Sequence, residues 1–383
     1  MSKHKPTDIA IIGGGLTGLT LAALLEQEGL DYLLIEGQNE FGGLAKGQLE
    51  QGVWLDYGMK SIPVGDEISS NPLLVLKKKL DLDINIESWT DTPQTLEKSG
   101  LAPFMGFGET KARSLVEELN YYVQSPRLMV SGGWKNLTNA LLAKIPEAKR
   151  LSRAIITRID LSEECVTGLQ LNGETLLDVK RVLFTLPPDH LKGLVATGHI
   201  SPKLAQRIGR STPLTALSLD IATKNRVSDA KNIFIFKDAS EDDFYVLGQF
   251  ISNADPSRNV ANLQVSSWLT LVDSELALDD EYVSKAIKMM KKNIKKAFAG
   301  LFDQSAWERL LVVPNALSQF DQVPIEKGGN LQGFTNLFLA GGQSKGASKN
   351  ISNALQSAMD QASRLSSTTS NLARPADIND LSV

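Results

Sequence analysis

The sequence predicts an α/β fold, with a Rossmann-like βαβ unit on a parallel sheet and a second region of α+β character. Three observations predict it. Asp8 and the apolar residues 9–12 lead into Gly13-Gly14-Gly15-Leu16-Thr17-Gly18, and a second apolar run ends at Glu36. Residues 201–312 carry β-branched and aromatic segments followed by a long amphipathic helix. Near the end, the apolar residues 336–340 lead into Gly341-Gly342 and a further helical pattern.

The opening unit carries the spacing of a dinucleotide site. Residues 9–12 read as a buried parallel strand. Gly13 permits the tight turn out of it, Gly15 lets backbone approach a pyrophosphate, and Gly18 lets the helix pack on the sheet. A helix over residues 16–27 points its N-terminal N–H groups, and the positive end of its dipole, at the phosphates. Gly29 ends it. Residues 32–35 form the second strand and deliver Glu36, about 20 residues on, to a ribose hydroxyl pair. At this level the pattern fits NAD or FAD.

The chain has 383 residues, room for two domains or for one large domain with an insertion. With 42% hydrophobic and 22% charged residues it has a globular composition, and a net charge of -4 gives no pull toward nucleic acid. The single cysteine, Cys165, cannot form an internal disulfide, which fits a reducing compartment. No apolar segment is long enough to span a bilayer and none resembles a secretory leader. The expectation is a cytoplasmic protein with no integral membrane segment and no nucleic-acid partner, of open oligomeric state.

Further along, Gly42-Gly43 with Lys46 suggests backbone brought close to something anionic, and residues 52–58 alternate like a short strand and turn. Residues 63–125 read as a helical insertion, with helices over 73–80 and 110–122 around a loop at 101–108. Ser131-Gly132-Gly133 precedes a helix over 136–144. Strands are expected at 154–159 and 167–171, the second followed by the hairpin-turn signal Asn172-Gly173, and at 182–185. The second region has strands at 214–221, 233–236, 244–251 and 262–271, then a basic helix over 280–298. A helix follows at 352–365, and residues 366–383 have the composition of a disordered tail.

Together these motifs resemble the flavin-containing amine oxidase superfamily, which includes protoporphyrinogen oxidases and phytoene desaturases. Gly13, Gly15, Leu16, Thr17 and Gly18 are similar to its first glycine motif, and Glu36-Gly37 with Gly42-Gly43-Leu44 to its acid-then-double-glycine pattern. Trp54-Leu55-Asp56-Tyr57-Gly58-Met59 resembles the turn near the isoalloxazine ring. Ile156 falls on the strand that holds the adenine. Gly341 and Gly342, with Asn350 and Ile351 opening the last helix, resemble the closing segment. The resemblance implies non-covalently bound FAD, because no cysteine is available in the C-terminal segment. It also implies a split architecture: residues 1–62, 126–200 and 313–365 binding FAD, and a discontinuous substrate-binding domain of 63–125 and 201–312. Two positions depart from the family. Leu44 stands where an arginine is usual, leaving Lys46 as a neighbouring cation, and Gly342 stands where an acid is usual.

His4, His190 and His199 have no catalytic neighbours in sequence, and no metal-ligand spacing is present. Flavin chemistry suits such a chain, because the cofactor carries the redox step. The expected reaction is hydride transfer from a C–N or C–C bond of a small organic substrate to flavin N5. Lys60 is the candidate cation beside the ring, Arg127 a candidate fork for a substrate carboxylate, and Tyr57 a candidate cavity residue. Trp54 and Trp134 line the cavity or fill core. Trp268, Phe244, Tyr245 and Phe250 are expected to pack the second sheet, and the lysines of helix 280–298 to form a solvated face. A flavin-dependent sugar mutase and a flavin protein without catalysis are the alternatives; the arginine cluster of the mutases is not found.

Overall fold

The computed structural model describes residues 4–65, 67–107, 114–209, 211–237, 244–258, 263–320, 325–342 and 351–372. The opening unit follows its motif. Strand Thr7–Ile12 leads into helix Leu16–Gln27 and strand Tyr32–Ile35, and the two strands pair in parallel. Arg150–Leu151 adds outside Tyr32–Ile35. On the other side Thr175–Phe184 pairs in parallel with Thr7–Ile12, and its C-terminal end also carries Leu337–Leu339. Its N-terminal half turns into an antiparallel meander with Cys165–Leu171 and Ile156–Ser162.

Because strand residues alternate faces, this sheet has two cores. Ile9, Ile11 and Leu34 face a helical layer made of Leu16–Gln27, Pro72–Leu80, Trp134–Ala143 and Ile351–Leu372. Ala10, Ile12, Leu33 and Ile35 face the meander. Helix Leu16–Gln27 is apolar on nearly every side because helices and sheet surround it.

The second sheet runs in the order Ser305–Phe320, Ser211–Thr223, Gln264–Asp273, Tyr245–Gln249, Phe234–Lys237, Gln94–Glu97 and Gly100–Pro103. One face buries Phe234, Phe236, Phe250 and Trp268 with Phe298, beneath helix Asp280–Ala297. The other carries Tyr245, Leu247 and Leu269 against Phe104, Leu119 and Val123, with Met59 at the margin. Helix Asp280–Ala297 turns Ala286, Met290 and Ile294 inward and leaves Lys285, Lys288, Lys292, Lys295 and Lys296 exposed.

Several segments differ from their sequence pattern. Residues 63–125 hold strands Ile86–Trp89, Gln94–Glu97 and Gly100–Pro103 as well as helices. Their partners lie far along the chain: Ile86–Trp89 pairs with Arg127–Val130, and Gln94 pairs with Phe234. Helix Pro202–Gly209 buries Leu204 and Ile208 in the core of the first sheet, not in the second region. Strand Ser305–Phe320 crosses the boundary expected at 312. The last helix runs to Leu372, where Ser366 and Ser367 hydroxyls donate back to the Ala362 and Arg364 carbonyls. The tail expected beyond that helix lies, from 373 on, outside the described residues.

Candidate active site

The two glycine turns meet. Gly13, at φ +106, occupies the left-handed region, where the turn out of the strand needs glycine. A Cβ at Gly18 would run into the Gly13 carbonyl oxygen, so helix and turn pack at backbone distance. Gly42 N–H donates to the Gly14 carbonyl at 2.8 Å, and Gly15 bridges Gly42. A Cβ on Gly43 would lie 3.1 Å from Gly15 Cα, whereas one on Gly15 would meet nothing within 4 Å. The result is a cradle of bare backbone, open above Gly15, at the N-terminus of the helix begun by Leu16 and Thr17.

Glu36 sits at its rim. Its Oε2 accepts the Gly14 N–H at 2.7 Å and its Oε1 accepts the Gln38 N–H at 2.7 Å. A carboxylate offers about four lone-pair sites, so acceptor capacity remains for a diol. Residues 151–154 lace onto this strand end: Glu36 N–H donates to Leu151 and Ala154 N–H to the Glu36 carbonyl. Ile155 thereby reaches Gly37, and Ile156 is buried behind it. Leu44 is 46% exposed at the cradle's edge, and Lys46 packs its Cβ against Gly42. Gly341, at φ +137, donates its N–H to Ser357 Oγ, and Gly342 is buried beside it. Ile351 begins the last helix; Asn350 lies outside the described residues. These features fit a dinucleotide cofactor: backbone donors, an acid for the ribose and open space where a side chain would intrude.

The Asp56-Tyr57-Gly58 turn is locked from two directions. Asp56 Oδ1 accepts the Trp134 N–H at 2.9 Å, capping helix Trp134–Ala143 after Gly133. Its Oδ2 accepts Arg258 Nη2 at 2.6 Å. Arg258 also gives Nε to Asp255 at 2.9 Å, and Asp255 accepts the Gly132 N–H at 2.7 Å. Burial pulls the Arg258 guanidinium down, but Asp56 and Asp255 outweigh it and hold it above its ordinary value. Trp134 is core, its Nε1 donating to the Met59 carbonyl, while Trp54 is 38% exposed beneath Lys135. A cleft of about 870 Å³ opens between Trp54, Asp83, Asn136 and Ser257 beside Arg258; none of the glycine-cradle residues lines it.

Lys60 is buried at 8% exposure and donates to the Asp56 carbonyl at 2.6 Å. Desolvation lowers its pKa against the pull of Asp220 and Asp56. Tyr57 is half-buried on the same turn, and Gly58 at φ +82 leaves open space. The next residue, Ser61, shares a 2.8 Å hydrogen bond with Tyr122 OH, tying helix Ser114–Gln124 to the turn. The second sheet brings Asp220 and Arg309 toward Lys60. Arg309 gives Nε and Nη2 to Asp220 Oδ2 at 3.0 and 2.6 Å and reaches Gln48 with Nη1.

Arg127 differs from its expected role. Its side chain is fully buried, ion-paired with Asp91, donating to the Val123 and Ser125 carbonyls and stacked on Trp89. Burial pulls it down to about 10. The fork is buried against Asp91 and two carbonyls and presents no exposed face to a carboxylate. Asp220, Arg309, Asp255 and Arg258 were not singled out by sequence reasoning. The signal for Asp220 was present: Ser218 and Asp220 form a polar stripe in a strand whose Leu217, Leu219 and Ile221 face the aromatic core.

Two family models match the chain: an NAD(P)-binding Rossmann-like domain over residues 11–70 and a flavin containing amine oxidoreductase over residues 104–366. Solved structures share the fold. An oxidoreductase from Methanosarcina mazei superposes with a TM-score of 0.73 at 15% identity, covering 93% of this chain and 100% of that one. Putrescine oxidase bound to putrescine gives 0.69 at 10% identity, with 94% and 99% covered. Cyclohexylamine oxidase from Brevibacterium oxydans gives 0.68 at 13% identity, with 96% and 100% covered. No helix among the described residues is long and apolar enough to cross a membrane. The amine oxidoreductase match covers more than half of the sequence and ends in the last helix, so the chain belongs to the flavin-containing amine oxidoreductase family and is an FAD-dependent oxidoreductase.

Proposed function

We propose that the protein oxidises a small organic amine by hydride transfer from a C–N bond to N5 of a non-covalently bound FAD, with a C–C bond as the other donor open to this chemistry. The observation that carries the reading is the Gly15–Gly43 backbone contact with Glu36 at its rim, and it is supported by the buried Lys60 on the Asp56-Tyr57-Gly58 turn. When bound, the flavin supplies the hydride-accepting chemistry. Leu16, Thr17 and the helix N-terminus stand at the phosphates, Glu36 at the ribose, Gly37 and Ile156 at the adenine end, and Gly58 and Met59 at the ring. Gly341, Gly342 and Ile351 close the site from the C-terminal side. Lys60 stands beside the reacting region, and Tyr57 lines it. The apolar face bearing Tyr245, Leu247 and Leu269 keeps water out. The names of two similar structures, a putrescine oxidase and a cyclohexylamine oxidase, support an amine as the donor.

Residues 1–62, 126–200 and 313–365 are assigned to cofactor binding, with helix Pro202–Gly209 added and the strand end up to Phe320 given to the substrate domain, which otherwise comprises 63–125 and 201–312. The single cysteine supports a reducing, cytoplasmic setting. Anaerobic mixing of the FAD-loaded protein with amines, amino acids and polycyclic compounds tests the reaction. Bleaching of the flavin by one class names the donor; a spectrum untouched by every class contradicts the redox reading.

A further inference from the structure

The cleft of about 870 Å³ beside Arg258 takes no part in the flavin site, since no residue of the glycine cradle lines it. Small-molecule sites commonly have volumes of about 300–1,000 Å³. Four parts of the chain wall this one: the hairpin strand Val53–Leu55, residues 81–85, helix Trp134–Ala143 and the Ser257-Arg258 corner. The walls are fastened to one another. Ser131 N–H donates to the Asn85 carbonyl at 3.0 Å, Asn136 Nδ2 to the Ser131 carbonyl at 2.7 Å and Arg258 Nη1 to the Trp54 carbonyl at 3.1 Å. A site held in this way loses little freedom on binding.

Its lining combines two kinds of surface. Val53, Ile84 and Arg258 are buried, whereas Trp54, Asp81, Asp83, Asn136, Asn139 and Lys144 are exposed. Among the described residues, the side chains of Asp81, Asp83, Asn139 and Lys144 make no hydrogen bond or ion pair, and Asn136 commits only its Nδ2. Charge narrows the ligand first. The two carboxylates are balanced by Lys144 and by Lys135, whose Nζ stands 5.2 Å from the centroid of the Trp54 ring, so the rim favours neither a cation nor an anion. No group of three or more His, Cys, Asp or Glu able to hold a metal ion is present among the described residues. Hydrogen bonding narrows it further. A carboxylate accepts from two hydroxyls at once, a primary amide both donates and accepts, and an indole offers an apolar surface to C–H groups. An apolar ligand would strip water from these polar groups and return no hydrogen bonds.

We propose that the cleft binds a neutral polyhydroxylated molecule, a mono- or disaccharide, with Asp83, Asn136 and Asn139 taking its hydroxyls and Trp54 forming the apolar wall. The cleft is separate from the glycine cradle, so sugar binding does not depend on which donor the flavin oxidises.

The test is titration calorimetry of the FAD-loaded full-length protein with glucose, galactose, N-acetylglucosamine and maltose, alongside choline as a cation and succinate as an anion. At least one sugar is expected to bind with a Kd of about 1 mM or tighter, weakened about ten-fold or more in both Asp83→Ala and Asn139→Ala. Both side chains are exposed and without internal partners, so each variant keeps the wild-type fold and flavin content. Binding of none of the four sugars overturns the proposal. So does choline or succinate held more tightly than any sugar and released by Asp83→Ala, or sugar binding that both variants retain in full.

Discussion

Asp56 and Arg258 are 202 positions apart in sequence and 2.6 Å apart in space, each almost fully buried. Through this pair the Asp56-Tyr57-Gly58 turn, the N-terminus of helix Trp134–Ala143 and the Asp255–Arg258 segment become one knot. Removing one partner of a buried pair leaves a charge uncompensated, which costs about 3–5 kcal/mol. Arg258→Met is therefore expected to lower unfolding stability by about that amount in urea titrations. A loss under about 1 kcal/mol contradicts the central place given to the pair.

Gly15 and Gly18 separate cofactor binding from folding. Gly15 has an extended backbone and open space around a Cβ, so Gly15→Ala leaves stability within about 1 kcal/mol of wild type. The added methyl stands in the cradle, and FAD affinity falls about ten-fold or more, an energy of about 1.4 kcal/mol. Gly18→Ala collides with the Gly13 carbonyl and lowers stability by about 1–3 kcal/mol. Equilibrium FAD binding and thermal unfolding of both variants decide the point.

Lys60 links stability to pH. Its folded-state pKa lies below the unfolded value because of burial, so between the two values the unfolded chain binds the extra proton. Stability from this group therefore rises with pH across that window. It is complete above the ordinary lysine value of about 10.4 and is lost as pH falls through the lowered one. Lys60→Met should flatten this part of the profile in denaturation series at stepped pH, and an unchanged slope contradicts the assignment. The same variant should slow flavin reduction about 100-fold if Lys60 handles a proton.

Arg127 provides the contrast. With its guanidinium held by Asp91 and two carbonyls, Arg127→Met should destabilise the fold by about 3–5 kcal/mol and leave substrate KM unchanged at a temperature where the variant is folded. A raised KM without loss of stability would restore the carboxylate-binding role.

The legible parts of this molecule are local. Gly13 to Glu36 reads directly because strand, turn, helix and acid follow within one βαβ unit, and Gly42-Gly43 lies close enough to be read with it. The network around Asp220 was not legible, since Arg309 and Arg258 find their carboxylates 89 and 202 positions away. Strand Ser305–Phe320 escaped for another reason. Pro314 interrupts its pattern, and the structure accommodates the proline on an edge strand where the register shifts. Lys60 could be placed near the site from the Asp56-Tyr57-Gly58 turn, but its burial depends on a sheet encoded far downstream.

The most direct test of the central claim is the visible absorption spectrum of the purified protein after incubation with FAD and removal of free cofactor. Close to one bound flavin per chain is expected, held about ten-fold more weakly in Gly15→Ala. A colourless wild-type protein that takes up no FAD would contradict it.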